Sequence, residues 1–264
     1  MVKKRTVKSK QSKTYIPSSQ ESETYADSYN NGIIQEDLEQ IDKYIYQEEM
    51  NFFKQEFDKR EIEKTSVPED SIPICADVRN YDFLQLAKIH QEVKGKLFDV
   101  IMMDPPWQLS GANPTRGVTI SYESLPDPSI RQLPIPKLQN QGLIFIWTIN
   151  AKYRMSLQLL DCWGYKYVDE VVWVKKTCNN KIAKSHGYWL QHAKETCLVG
   201  VKGDLDMSDK EIPDIIFSLR RGQSQKPEEV YQMIEELVPN GSYLEIFGRR
   251  NNLRAGWITI GNEI

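Results

Sequence analysis

With 264 residues, 40% of them hydrophobic and 27% charged, the chain has room for one well-buried domain and an appendage but not for two large domains. A formal net charge of −3 argues against a protein that binds nucleic acid through an overall basic surface. No apolar run approaches the roughly 20 residues of a membrane span, no apolar segment follows the basic N-terminus, and Cys75, Cys162, Cys178 and Cys197 are too scattered for a zinc cluster. An intracellular protein with reduced, structural thiols and no membrane partner is expected.

Residues 1–30 are polar, rich in Ser and Lys and nearly free of aliphatic side chains, a composition that cannot offset its ordering entropy and predicts a disordered tail. Its cluster of Lys3, Lys4, Arg5, Lys8, Lys10 and Lys13 reads as a nuclear-import signal, a phosphate-binding arm or simply a solvated tail. Residues 31–70 predict one amphipathic helix and a linker. Ile34, Leu38, Ile41, Ile45 and Phe52 recur at helical spacing, Phe53 and Phe57 widen the stripe, and TSVPEDSIP ends it beyond about Lys64. That stripe docks on the domain or on a partner subunit.

Residues 71–264 alternate β-rich runs with helical segments. Strands are predicted at Leu97–Met103, Leu143–Thr148, Tyr167–Lys175, Thr196–Lys202, Asp214–Ser218, Tyr243–Phe247 and Trp257–Ile260; helices at Phe83–Val93, Ala151–Trp163 and Pro227–Leu237. This alternation implies an α/β, Rossmann-like, doubly wound and mostly parallel sheet, which binds ligands at the carboxyl ends of its strands. The run LFDVIMM reads as a central strand, so Asp104, Pro105, Pro106 and Trp107 follow at its carboxyl end.

Those four residues suit one chemistry. Adenine's exocyclic amine is a poor nucleophile because its lone pair is delocalised into the ring. A catalyst must hold it where it can pyramidalise toward an electrophile, and the Asp104 carboxylate with a main-chain carbonyl of the Pro-Pro turn supplies two acceptors. The prolines fix φ, so the acceptor is pre-positioned. Trp107 is expected to stack on the base, a contact worth roughly 1–3 kcal/mol. The plainer reading is a Pro-rich turn with a packing tryptophan.

DPPW is the signature of amino-methyltransferases, and the chain resembles the eukaryotic MT-A-type adenine-N6 methyltransferase family from about Ile74 to Ile264. The resemblance extends through GLIFIWT, WGYKYVDEVVWVKK, HGYWLQHAKETCLVGVKGD, RRGQSQKPEEVY, LEIFGRRNN and WITIGNEI. It implies a permuted motif order, with DPPW ahead of YLEIFGRR, and S-adenosylmethionine as cofactor, leaving S-adenosylhomocysteine. By the resemblance, Asp77 and the Val78 backbone recognise the cofactor's adenine, and Lys226 meets its carboxylate. Arg249, Asn251 and Asn252 lie at the ribose, Asn262 and Glu263 close the adenosine pocket, and Asp104 also touches the ammonium. Without that resemblance, Asp77 would read as an acid capping a turn at a strand end.

On the substrate side the resemblance implies Tyr122, Lys175, Trp189, Gln191, His192, Glu195 and Arg221, with Lys176, Lys181 and Lys184 as candidate phosphate contacts. Asn251, Glu263 and Gln225 depart from the family's messenger-RNA enzyme, which has His, Gln and His there, and the Cys/His zinc fingers of that enzyme are not found. MMDPPWQLS, INAKYR, RRGQSQKPEE and RRNNL resemble most the ciliate-type DNA adenine methyltransferase catalytic subunit. DNA is therefore the expected substrate, a flipped-out adenine the target, RNA the runner-up and a non-catalytic scaffold the alternative of another class. A heterodimer with a catalytically inactive MT-A-type paralogue, small DNA-binding accessory subunits and a nuclear location follow from the same resemblance.

Overall fold

A computed structural model describes residues 67–108, 124–185, 189–205, 207–220 and 225–264. The tail and helix expected over 1–64, Tyr122 and Arg221 lie outside the described residues. Eight strands form one sheet: β1 (Ile72–Cys75), β2 (Val100–Met103), β3 (Gly142–Thr148), β4 (Lys166–Lys176), β5 (Lys194–Lys202), β6 (Ile215–Leu219), β7 (Tyr243–Ile246) and β8 (Trp257–Gly261). Their order is β1-β8-β7-β2-β3-β5-β4-β6. All neighbours are parallel except those of β5, which runs against both β3 and β4. β4 and β5 follow each other along the chain as an antiparallel pair, which needs no crossover helix.

Among the described residues five α-helices accompany the sheet: α1 (Phe83–Lys94), α2 (Asp127–Arg131), α3 (Ile135–Leu138), α4 (Tyr153–Trp163) and α5 (Glu228–Leu237). Every residue of β2 and β3 is buried, as a strand covered on both faces requires. Ile101 and Met103 join a core with Phe83 and Leu86 of α1 and Leu159, Leu160 and Trp163 of α4. Val100 and Met102 join another with Val230, Tyr231 and Ile234 of α5. The period-2 alternation of β2 thus feeds two layers of helices. Helix α1 begins where the Asp82 side chain accepts from the Gln85 N–H at 2.9 Å and ends at Gly95, φ 74°.

The strands and helices predicted over residues 71–264 are present, with shifted ends. The strand predicted from Leu97 starts at Val100, because the Phe98 N–H is taken by the Leu138 carbonyl and that of Asp99 by Ser242. Ala151 and its neighbours form a 3₁₀ turn, Asn150–Lys152, ahead of α4. Pro227 caps α5 from outside. Edge strand β1, four residues interrupted by Pro73, and the short α2 and α3 carry too little periodicity to be read in advance.

The strand predicted through Phe247 stops at Ile246, since Phe247 takes φ 67°. The chain then presses the turn after β7 against the end of β8: a Cβ on Gly261 would lie 2.0 Å from the Gly248 carbonyl oxygen. Gly261→Ala is expected to destabilise the domain by about 1–3 kcal/mol through forced backbone movement. A clear drop in the thermal midpoint should report it, and an unchanged midpoint would show that the contact is relaxed at no cost.

Candidate active site

The carboxyl ends of β1, β8, β7 and β2 all open on one edge of the sheet, because those four strands are parallel neighbours. The chain leaves β2 toward β3 on one side and leaves β7 toward β8 on the other, and such divergence creates a crevice. Residues just past the four strand ends line it: Ala76, Asp77 and Val78 after β1, Asp104 to Pro106 after β2, Phe247 to Arg249 after β7, and Asn262 and Glu263 after β8.

Asp104 anchors a chain of alternating charges. The Lys226 ammonium lies 2.6 Å from its carboxylate and 3.3 Å from that of Glu195, which also pairs with Lys175. The Lys226 side chain is 8% exposed, so these charges face one another with little intervening water. Burial alone would lower the lysine's pKa, but two carboxylates raise it and keep the ammonium charged. Burial pushes the Asp104 carboxyl up, with Lys226 pulling against it. Lys226 and Lys175 hold Glu195 down at about 2, against its burial. Lys226 also lies 5.3 Å from the Trp147 ring, and Lys175 4.8 Å from that of Trp173.

Asp77, just past β1, closes a turn, which is the plainer of its two readings. Its carboxylate accepts from the Arg79 backbone N–H at 2.9 Å, closing a turn, and from the Arg79 guanidinium at 2.7–3.0 Å. Arg79 lines the crevice too and was missed by sequence reasoning; its spacing two residues from Asp77 was the available signal. Val78 is buried. Arg249 reaches Glu263 at 3.3 Å across the crevice, where Asn262 is exposed. Asn251 and Asn252 do not line it: Asn252 is buried and its Nδ2 donates to the Tyr231 hydroxyl at 2.7 Å.

Trp107 departs from expectation. It is 6% exposed, lies in the core and donates its indole N–H to the Trp147 carbonyl at 3.1 Å, so the packing reading holds and no open stacking plate is presented. The Pro105 carbonyl accepts from the Trp107 N–H and the Pro106 carbonyl from the Leu125 N–H, each at 2.8 Å, which makes the turn rigid. A carbonyl oxygen has a second lone pair for a ligand.

The acceptor-side residues divide into two groups. Glu195 and Lys175 join Asp104 through Lys226, whereas Gln191 and His192 are exposed and Trp189 is 88% exposed. His192 is held only through its backbone, paired both ways with Ser185. Lys181 and Lys184 are exposed as well. Among the described residues, no group of His, Cys, Asp or Glu is arranged to hold a metal.

The chain resembles known proteins over the same region. It is 38% identical over 194 residues to the human N(6)-adenosine-methyltransferase catalytic subunit METTL3, which covers 72% of this chain and 31% of the relative. An Arabidopsis thaliana N(6)-adenosine-methyltransferase MT-A70-like protein is 37% identical over 169 residues, 63% of this chain and 24% of the relative. The human N(6)-adenine-specific methyltransferase METTL4 is 30% identical over 185 residues, 64% of this chain and 38% of the relative. The chain thus spans less than two fifths of the length of these relatives. The family model MT-A70 matches residues 98–263, from two residues before the strand that delivers Asp104 to the residue that pairs with Arg249. A match over that much of the chain places the protein in the MT-A70 family, whose methyltransferases use S-adenosylmethionine as methyl donor.

Proposed function

We propose that this chain is the catalytic subunit of a methyltransferase complex that transfers a methyl group to N6 of adenine in DNA. The observation that carries the chemistry is the intact Asp104-Pro105-Pro106 turn on the crevice, with Asp104 held by Lys226 and Lys226 by Glu195. The donor set suits a cofactor that joins an adenosine to a zwitterionic amino acid. Ala76, Val78, Leu125 and Phe247 give apolar wall, Asp77 and Glu263 carboxylates, and Arg249 a cation. S-adenosylmethionine, when bound, supplies an electrophilic methyl on a sulfonium.

Asp104 accepts one N–H of the target amine, and a carbonyl of the Pro105-Pro106 turn accepts the other. Two fixed acceptors orient the nitrogen lone pair for in-line attack, and orientation of this kind supplies most of the rate. Lys226 stabilises ionised Asp104 and is the cation for the cofactor's carboxylate, while Asp77 and Val78 hold its adenine. Trp107 fixes the turn by its bond to Trp147, and Trp189, 88% exposed, is an aromatic surface for a flipped base.

DNA is favoured by the likeness of MMDPPWQLS, INAKYR, RRGQSQKPEE and RRNNL to the ciliate-type enzymes. RNA is the second reading, because the relatives at 37–38% identity are named adenosine-methyltransferases. With a net charge of −3, the chain is expected to draw phosphate affinity from its basic tail or from partners. We propose an inactive MT-A-type paralogue as heterodimer partner, small DNA-binding accessory subunits and a nuclear location.

Asp104→Ala is expected to abolish methyl transfer from labelled cofactor to adenine-containing oligonucleotides while the fold survives; retained activity would remove Asp104 from the mechanism. Matched DNA and RNA substrates, with and without co-purified partners, should show preference for DNA and low activity of the isolated chain. Lys226→Met removes the cation that lowers the Asp104 pKa, so the acid limb of the pH–rate profile should move to higher pH. A limb that stays in place would show that Asp104 does not titrate in it.

A further inference from the structure

Phe247, Gly248 and Arg249 present three consecutive cleft-lining groups from one sharp turn, and Phe247 holds a left-handed backbone conformation there. A bulky residue keeps such a conformation only when its surroundings over-determine it. The groups that do so lie behind the crevice wall. Glu245, on β7 two residues before Phe247, is 4% exposed. It accepts from the Tyr231 hydroxyl at 2.7 Å and from the Thr259 hydroxyl at 3.4 Å. Fully buried in α5, Tyr231 in turn accepts from Asn252 Nδ2 at 2.7 Å. The Asn252 N–H donates to the Arg249 carbonyl at 2.9 Å. The strand before the turn and the loop after it are therefore tied together through one hydroxyl on a helix.

We propose that Tyr231 is a positioning residue for cofactor binding: its hydroxyl, bridging Glu245 and Asn252, holds the 247–252 turn in the shape that brings Phe247 and Arg249 to the crevice. The inference rests on the reading of that crevice as the S-adenosylmethionine site. Glu245 and Tyr231 themselves do not line the cleft, so Tyr231 acts through the turn. The single Tyr231 hydrogen goes to Glu245, and its oxygen receives Asn252, so the relay is complete without a charge. Burial raises the Glu245 carboxyl to about 8, which leaves it a neutral acid near pH 7.

The test compares S-adenosylmethionine binding by calorimetry in the full chain and three variants. Tyr231→Phe keeps the ring and its packing but loses both bonds, and its Kd should rise about tenfold while kcat at saturating cofactor stays near wild type. Glu245→Gln keeps an uncharged acceptor for the Tyr231 hydroxyl and should bind within about twofold of wild type, whereas Glu245→Leu should weaken binding as Tyr231→Phe does. Hydrogen exchange in Tyr231→Phe should quicken at residues 247–252 with α5 still protected. An unchanged Kd in Tyr231→Phe overturns the proposal, as does Glu245→Gln binding as weakly as Glu245→Leu. If the wild-type chain binds no cofactor, the crevice reading fails first, an outcome separate from a wild type that binds and a Tyr231→Phe variant that binds equally well.

Discussion

One buried ammonium organises this site. Lys226 stands between Asp104 and Glu195, and an uncompensated charge in that position would be strongly unfavourable. Its presence stabilises two carboxylates from different strand ends, and theirs stabilises the lysine. Because the lysine immediately precedes Pro227 and α5, it also couples the charge chain to the helix that packs against β2 and β7. Removing any one member takes a partner from its neighbours, so the group is expected to respond as a unit.

The sheet supplies what the charges cannot, which is place. β2 carries no polar residue into either core layer, and its first acid, Asp104, appears where the strand leaves the sheet. β7 carries Glu245 into one of those layers, where burial, Tyr231 and Thr259 make it a hydrogen-bonding post and not an anion. Two carboxyls on neighbouring strands thus differ because one meets a cation at the crevice and the other a hydroxyl in the interior. Environment, not residue type, assigns their roles.

Much of this was legible in the sequence. The unbroken apolar runs of β2 and β3, the Pro-Pro stop after Asp104 and the long helical stripes of α4 and α5 follow from local chemistry. What escaped depends on contacts distant along the chain. The Lys226 pairing to Asp104 spans 122 residues, and the burial of Trp107 depends on a carbonyl 40 residues away. The left-handed Phe247 sits in a run that reads as strand, and the close approach of Gly248 and Gly261 that accompanies the strand's end joins residues from two different strands. Asn252 read as a ribose contact through the family resemblance, and the bond from its Nδ2 to Tyr231, 21 residues away, had no local signal.

The position of the transferred methyl group tests the account most directly. Duplex DNA incubated with the chain, its co-purified partners and S-adenosylmethionine, then digested to nucleosides and separated by mass spectrometry, should yield N6-methyladenine, and Asp104→Ala should yield none. Methyl groups on a ring nitrogen or on another base, or no product from a complex that demonstrably binds the cofactor, would contradict it.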